Sequence, residues 1–190
     1  MHDILAAIRE VKSGDDARAE AALVDLPPDN PAAHNALIAL TKSGQADHRW
    51  WAVRGLAASR VTRAEELIPL LEDAEPEVRA AAALGLCTHP AESAAPALIR
   101  ALEDDDALTV DLAGKALAAL GTAAVAPLLD FLPHASPRAR VSSLRALADI
   151  GDHRAIPALL AAAGEDSALA QYWAKAGLER LRLDMVFMKP

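Results

Sequence analysis

Leucines recur along this chain at a nearly constant distance. They stand at Leu56, Leu86, Leu117, Leu147 and Leu178. Seven positions before each leucine lies a second recurring slot, which holds Arg49, Arg79, Val110, Arg140 and Gln171, with steps of 30, 31, 30 and 31 residues. Such self-similarity predicts an array of units in which each unit packs only on its neighbours.

Within each unit, the spacing of the apolar positions predicts two helices joined by a short turn. First helices are predicted at about 47–58, 76–87, 107–120, 137–149 and 167–182, and second helices at about 63–72, 93–103, 123–132 and 153–163. Three further helices are predicted before them, at about 3–12, 16–26 and 31–42. No segment alternates as a strand would, so the predicted fold is all-α, an α-solenoid of about 11–12 helices.

The repeats predict one domain over 1–190. Residues 1–46 read as degenerate N-terminal units, 47–166 as four regular units, and 167–190 as a C-terminal capping helix with a tail. The tail is apolar at Met185–Met188. We expect it to fold back on the end of the array or to contact a second chain.

One proline falls inside a predicted second helix. Pro69 lies within 63–72, where it would remove a backbone hydrogen bond to Glu65. We expect this helix to start late, so that Pro69 lies in its first turn, rather than to be kinked. A late start would also remove the capping box that Thr62 and Glu65 otherwise predict.

The units resemble a known repeat family. The segments that carry the resemblance are EVRAAA at 77–82, SPRAR at 136–140, Gly151-Asp152 and AIPALL at 155–160. They resemble HEAT repeats of the short bacterial subtype also found in phycobilisome lyases, over about 47–178 and in degraded form over 3–46. The resemblance implies a convex row of first helices, a concave row of second helices, a structural role for the arginine slot, and scaffolding or binding rather than catalysis.

Charge and composition narrow the classes of partner. The formal net charge is −8, which argues against a nucleic-acid or anionic-membrane surface. No apolar run reaches the roughly 18 residues of a membrane span. The single cysteine, Cys87, allows no intramolecular disulfide, and Met1–Lys12 does not have the pattern of a secretory signal. These features favour a cytoplasmic protein.

Patterns of catalytic and metal-binding residues are missing from the sequence. The six histidines form no pair spaced to place two ligands on one helical face. There is no Gly-x-Ser-x-Gly elbow and no glycine-rich phosphate loop. We therefore predict no catalytic residue, no metal and no cofactor. Positive charge concentrates only at Arg49, Arg54, Arg60 and Arg63, the one place where the sequence favours an anionic ligand.

Four of the six aromatic residues directly follow the arginine slot, at Trp50, Trp51, Tyr172 and Trp173. Helical geometry puts Trp50 and Tyr172 on the outward side and the other two on its flank. Two interpretations are open. The rings either fill poorly covered ends of the array, or Trp50 and Tyr172 anchor a partner or a second copy.

The second helices carry two further candidates. Arg100 and Phe131 each lie four residues after the proline of their helix. Phe131 either faces outward beside Arg100, where the two would suit a bound peptide or helix, or packs in the core with Leu132. The sequence favours neither arrangement. The candidate partner-binding residues are Trp50, Arg54, Arg100, Phe131 and Tyr172.

The sequence thus favours a non-catalytic scaffold or adaptor that binds another protein or peptide along a concave helical groove. A homodimer is another form of the same hypothesis. The alternative, implied by the resemblance, is a bilin lyase-like chaperone or enzyme that holds a tetrapyrrole in the groove.

Overall fold

The computed structural model describes residues 4–181, and in this range the chain forms twelve α-helices and no β-strand. The helices are α1 (Ile4–Val11), α2 (Asp16–Val24), α3 (Pro31–Leu40), α4 (Ala46–Ala58), α5 (Ala64–Leu67), α6 (Pro76–Thr88), α7 (Ala95–Ala101), α8 (Ala107–Ala119), α9 (Val125–Phe131), α10 (Pro137–Ile150), α11 (Ile156–Ala163) and α12 (Ala168–Arg180). The predicted all-α class is confirmed.

The helices form two compact units, one that ends at His89 and one that begins at Pro90. In the first unit, α4 packs against α3 and α6, and α1 packs against α2 and α3. In the second unit, α10 packs between α8 and α12, while α7, α9 and α11 pack on α8, α10 and α12. Each unit is therefore built from helical hairpins. The single domain over 1–190 stays a prediction, and the apolar tail Met185–Met188 lies outside the described residues.

The repeated leucines form the core of each unit. Leu56 and Leu86 in the first unit, and Leu117, Leu147 and Leu178 in the second, are all between 0% and 2% exposed. Because side chains four and seven residues apart share one face of a helix, a single slot per repeat is enough to mark the buried face. The expectation that these leucines are interior is confirmed.

Three of the four second helices open with a tighter turn than predicted. Short 3₁₀ segments at Glu92–Ala94, Gly121–Ala124 and His153–Ala155 lead into α7, α9 and α11. Pro96 and Pro157 then occupy the first turn of α7 and α11. A proline is tolerated there because the amide that it lacks would have no partner within the helix.

The helix that contains Pro69 does not start late, so that expectation is wrong. Helix α5 begins at Ala64, and the chain continues from Ile68 to Glu72 as a 3₁₀ helix with Pro69 in its first turn. The chain accommodates the proline by changing from α-helical to 3₁₀ hydrogen bonding. The cap also shifts by one residue, since the Arg63 amide donates to the Glu66 carboxylate at 2.9 Å.

The arginine slot joins consecutive turns. Arg49 donates to both carboxylate oxygens of Asp73 at 2.7 Å and to the carbonyl of Ser43 at 3.1 Å. Arg140 likewise holds the Glu165 carboxylate and donates to the Leu132 carbonyl at 2.9 Å. Each arginine therefore satisfies a carbonyl on one turn and a carboxylate on another. This agrees with the structural role that the resemblance implied.

Two units lack the arginine. Gln171 keeps part of the arrangement, because its amide donates to the Glu165 carbonyl six residues earlier, as Arg49 does to Ser43. Val110 keeps none of it and is 1% exposed. At that position the hydrogen-bonding slot is replaced by apolar packing.

A recurring glycine lets neighbouring helices approach closely, and we call its position the glycine slot. Gly55, Gly85 and Gly177 each stand six residues after the arginine slot. A Cβ atom added there would lie 2.8–2.9 Å from a Cδ1 atom of Leu37, Leu67 or Leu159, respectively, on the preceding second helix. Only a residue without a side chain fits these positions without a shift of the neighbouring leucine.

Replacing Gly177 by alanine is therefore expected to destabilise the second unit. The new methyl group would lie 3.0 Å from the Ala148 Cβ and 3.1 Å from its Cα, so a rotamer change cannot relieve all of the contact. Overpacking of about 1–3 kcal/mol should exceed the roughly 1 kcal/mol that alanine gains in helix propensity. Urea unfolding followed by circular dichroism measures the difference. Gly44→Ala is the control, because nothing lies within 4 Å of its added Cβ; equal stabilities of the two variants would contradict the slot.

Candidate functional site

The first unit contains a cleft built around two tryptophans, which we call the tryptophan cleft. It has a volume of about 400 Å³. Its lining residues are Asp16, Ala46, Asp47, Trp50, Trp51, Glu75, Glu77 and Val78. The acidic residues lie at the starts of α2, α4 and α6, where carboxylates are favoured by the positive end of the helix dipole, and the two tryptophans lie in the second turn of α4. The cleft therefore combines indole rings with four acidic side chains.

The structure corrects the predicted direction of Trp50. Helical periodicity placed it on the outward side, but it is half-buried against an apolar cluster that includes Val11, Ala19 and Trp51. Residues of α1 and α2 take part in this cluster, so the degenerate N-terminal helices cover the side of α4 that the repeat pattern leaves open. Trp51, predicted on the flank, is 5% exposed and belongs to the core.

Arg54 is brought onto the tryptophans. Its guanidinium carbon lies 5.0 Å from the centroid of Trp50 and 5.2 Å from that of Trp51, within the range of a cation–π contact. The two indole rings meet edge to face at 4.7 Å. Arg54 also forms an ion pair with Glu20 at 3.3 Å and does not line the cleft. Two of the candidate partner-binding residues, Trp50 and Arg54, are therefore in contact.

The arginines that suggested an anionic ligand are all paired with carboxylates. Arg49 binds Asp73, and Arg54 binds Glu20. Two longer pairs, at 3.5 and 3.6 Å, join Arg60 to Asp29 and Arg63 to Glu66. The concentration of positive charge seen along the sequence is thus neutralised in three dimensions, and the geometry does not favour an anion there.

The second unit exposes an apolar face on α12. Leu169 and Tyr172 are each 61% exposed and stand three residues apart, hence on one side of the helix. We call these two residues the tyrosine face. The outward position predicted for Tyr172 agrees with its exposure. Beside it, Trp173 contacts Tyr172 edge to face at 5.0 Å, and the Arg145 guanidinium lies 5.0 Å from the Trp173 ring.

The remaining two candidates lie on second helices of the same unit. Arg100 is exposed on α7 and donates to the Pro96 carbonyl at 3.3 Å. Phe131 ends α9 half-buried, next to the buried Leu132. Neither of the two alternatives for Phe131 is met in full, because the ring is neither outward nor interior. Neither residue lines the tryptophan cleft or the two cavities described below.

Sequence reasoning missed a buried histidine. His34 is 9% exposed, with Nε2 3.1 Å from the Glu66 carboxylate and Nδ1 3.4 Å from the Thr62 hydroxyl. A carboxylate only accepts, so Nε2 carries the proton of the hydrogen bond to Glu66. Burial raises the pKa of Glu66. Hydrogen bonds from the Arg63 amide and from His34 lower it by more than burial raises it, so the pKa of Glu66 lies below its ordinary value. The sequence indicated this contact only by the separation of 32 residues between His34 and Glu66, which is about one repeat.

Two other cavities lie in the first unit. One of about 190 Å³ is lined by His34, Ser59 and mostly leucine, proline and alanine side chains. The other, of about 410 Å³, lies between α1 and α2 and is lined mainly by alanines with Glu10, Arg18 and Asp25. Arg18 is paired with Glu10 at 2.6 Å, so this second cavity holds little free positive charge.

Residues 4–181 contain no group of three or more histidine, cysteine or acidic side chains arranged to hold a metal ion. Cys87 is half-buried, and its thiol donates to the Ala83 carbonyl at 3.5 Å. Within the same range, the helices are all too short or too polar to cross a bilayer.

Family models match two stretches of the chain. Residues 64–132 match the model described as HEAT repeats, and residues 139–165 match the PBS lyase HEAT-like repeat. These stretches contain most of the segments on which the resemblance was drawn. The predicted recognition is confirmed.

The chain is similar to two proteins whose names refer to phycocyanobilin and to phycobilisomes. The chain is 36% identical over 109 residues to the phycocyanobilin lyase subunit beta of Pseudanabaena tenuis, which is 57% of this chain and 39% of the relative. It is 39% identical over 121 residues to a phycobilisome maturation protein of Synechococcus elongatus, which is 62% of this chain and 58% of that relative. The chain thus spans less than two thirds of either relative.

Solved structures agree on the fold. The complex of CpcE and CpcF of phycocyanin lyase from Nostoc sp. PCC7120 contains a chain that matches with a TM-score of 0.57 and 25% identity, over 94% of this chain and 76% of that one. A designed armadillo repeat protein matches with a TM-score of 0.57 and 21% identity, over 94% and 99%. The second likeness bears on fold alone. Together with the matching family models, they show an α-solenoid fold in which residues 64–132 match HEAT repeats and residues 139–165 match the PBS lyase HEAT-like repeat.

Proposed function

We propose that this protein is a non-catalytic interaction module that binds another protein through the tyrosine face of α12. The observation that carries the proposal is the exposure of Leu169 and Tyr172, 61% each, on one side of a regular helix. Exposed aromatic side chains with an aliphatic neighbour are typical of residues that dominate binding energy. Because Tyr172 is already held edge to face by Trp173, little freedom is lost when it is covered.

The comparisons support a protein partner in general terms. One relative is named as a subunit of a lyase, and one similar solved chain belongs to a complex of two chains, CpcE and CpcF. A HEAT-repeat chain that works together with a second protein is thus represented among its relatives. The partner of the present chain is either a different protein or a second copy of the same chain, and the following experiment distinguishes the two.

The test is recovery of a partner from a native cell lysate by wild-type protein and by the double variant Leu169→Ala/Tyr172→Ala. A protein that wild type recovers should be bound at least about thirtyfold more weakly by the double variant, since removal of a hot-spot residue costs about 2 kcal/mol or more. Leu84→Ala, 51% exposed in the first unit, is the matched control and should bind as wild type does. Equal recovery by all three proteins would contradict the proposal.

A second candidate function is a bilin lyase-like chaperone or enzyme, which the names of the two relatives favour. The cavities give it less support. The tryptophan cleft presents four carboxylates, which would repel the propionates of a tetrapyrrole, and the 190 Å³ cavity is below the roughly 300–1,000 Å³ of ligand pockets. The cavity between α1 and α2 is large enough, but its cation is paired.

Titration of a free bilin with the protein separates the two functions. A chaperone or lyase that holds the chromophore in a fixed conformation should change its visible absorption in a saturable manner. No spectral change at high protein concentration would remove this candidate and leave the protein-binding module.

A further inference from the structure

We propose that the partner of the tyrosine face is a second copy of this chain, whose α12 packs antiparallel on α12 of the first copy about a twofold axis. The inference rests on the proposed function, because it names the partner of the same surface. Lys175 and Glu179 stand three and seven residues after Tyr172, hence on the same side of α12. The contact depends on these two charges together with Tyr172.

This side of α12 corresponds to the side on which the earlier helix α8 packs against α10. Asp111 and Gly114 of α8 occupy the places of Tyr172 and Lys175 two repeats earlier. Asp111 accepts a hydrogen bond at 2.6 Å from Arg145 on α10. A Cβ added to Gly114 would lie 3.4 Å from a side-chain atom of α10. In the hairpins before α12, these places therefore belong to the contact with the following hairpin.

The same holds one repeat before α12. Glu179 occupies the place of Ala148 on α10, and the Cβ of Ala148 lies 3.0 Å from a Cβ added to Gly177 on α12. Leu144, in the place of Lys175, is 0% exposed. No further helix follows α12 within residues 4–181, where Lys175 is half-buried and Glu179 is exposed. The side that earlier helices cover is thus uncovered on α12, and it carries charges.

The two charges have no partner of their own. Lys175 and Glu179 make no side-chain hydrogen bond or ion pair within residues 4–181. By contrast, Arg180 at the end of the same helix pairs with Asp149 of α10 at 3.4 Å. An apolar partner laid on this side would remove water from Lys175 and Glu179 without replacing it, which is costly. A suitable partner therefore offers one negative and one positive group at the same spacing.

A second copy of α12 offers these groups. In an antiparallel pair centred at the height of position 177, Lys175 lies opposite Glu179 of the second copy, and Glu179 lies opposite its Lys175. One twofold contact thus pairs both charges of both copies, as an interface between identical surfaces requires. Tyr172 lies one turn before Lys175, so it packs beside the last turn of α12 of the second copy. The partner is therefore fixed by charge complementarity, and the ring supplies apolar contact.

Sedimentation equilibrium of the full chain measures this contact. The mass should rise from that of one chain towards that of two as the concentration is raised to about 1 mM, since a single pair of helices forms a contact of the weak class. Lys175→Glu alone and Glu179→Lys alone each place like charges opposite each other twice. Each variant should therefore dimerise at least about tenfold more weakly than wild type.

A mixture of the two variants tests the arrangement itself. One chain then carries two glutamates and the other two lysines, so every pair across the interface is again oppositely charged. The equimolar mixture should dimerise within about threefold of wild type. Failure of the mixture to dimerise would overturn the proposal. So would a mass of one chain at every concentration, which is the result expected if residues 182–190 of the same chain or a different protein cover this side.

The matched controls are Lys12→Glu and Asp130→Lys, which make the same changes of charge at exposed positions outside α12. Both should dimerise within about twofold of wild type. Equal weakening by the controls would show a response to net charge alone and would overturn the proposal. If circular dichroism shows that a charge reversal unfolds the chain, Lys175→Gln/Glu179→Gln replaces it and should weaken dimerisation at least about threefold; unchanged dimerisation would again overturn the proposal.

Failure of this inference can be told from failure of the proposed function. If the chain stays monomeric while Leu169→Ala/Tyr172→Ala loses a different protein from the lysate, the second copy is wrong as the partner and the tyrosine face stands as a binding surface. If the chain stays monomeric and the double variant loses nothing, both proposals fail.

Discussion

Replacing Arg49 by methionine is expected to lower the free energy of unfolding by about 3–5 kcal/mol, the usual cost of leaving one member of a buried ion pair alone. The side chains of Arg49 and Asp73 are only 14% and 8% exposed. Methionine keeps much of the apolar stem but removes all three hydrogen bonds to Asp73 and to the Ser43 carbonyl. Urea unfolding measures the loss, and a change below about 1 kcal/mol would contradict the buried character of the pair.

Acid should diminish this effect. The hydrogen bond from Arg49 lowers the pKa of Asp73 in the folded protein below its ordinary value of 3.8. A folded-state pKa below the unfolded one means that the stabilisation is complete above 3.8 and is lost as the pH falls through the lower folded value. The difference in melting temperature between wild type and Arg49→Met should therefore shrink as the pH is lowered below 3.8. A difference that grows would have the wrong sign.

The same slot supplies an internal comparison. Arg140 and Glu165 form an equivalent pair in the second unit, but their side chains are 29% and 28% exposed. Water screens this pair more strongly, so Arg140→Met should cost clearly less than Arg49→Met. Equal losses would mean that burial does not set the energy of the slot.

Replacing Leu147 by alanine is expected to destabilise the second unit by about 2–5 kcal/mol. The leucine is 0% exposed on α10, which packs between α8 and α12, so the lost side chain leaves a cavity that fixed neighbours on both sides cannot fill. Chemical unfolding followed by circular dichroism measures the loss.

The control for Leu147 is Leu108→Ala on the neighbouring helix α8. Leu108 is 56% exposed, so the same chemical change should alter stability by no more than about 0.5 kcal/mol. If both variants lose the same amount, the repeated leucine slot is not what holds the helices together.

The sequence predicted the exposure of the candidate aromatic residues correctly at one position and wrongly at another. Tyr172 was predicted outward from helical periodicity alone, and it is exposed, because no other described helix covers that side of α12. Trp50 occupies the same slot and was predicted outward for the same reason, yet it is half-buried. The difference arises from α1 and α2, whose side chains cover α4 but whose degenerate sequence gives no repeat register from which to place them.

Charge was the least predictable property. The run of arginines from Arg49 to Arg63 looked like a site for an anion, but each finds a carboxylate up to 34 residues away in the chain. Electrostatic energy depends on distances in space, and linear spacing indicates these only within a helix or between equivalent positions of adjacent repeats.

The sequence by itself determined the helical hairpins, their period and the buried leucine slot, because these depend on local periodicity and on contacts between neighbouring units. It also contained the glycine slot, but the reason for these glycines is their close contact with Leu37, Leu67 and Leu159 in the structure. Only the tertiary structure decided the change to 3₁₀ geometry at Pro69, the burial of His34 and Trp50, and which charges are paired. Those features depend on how side chains from different helices meet, and many arrangements of the same helices satisfy the sequence pattern equally well.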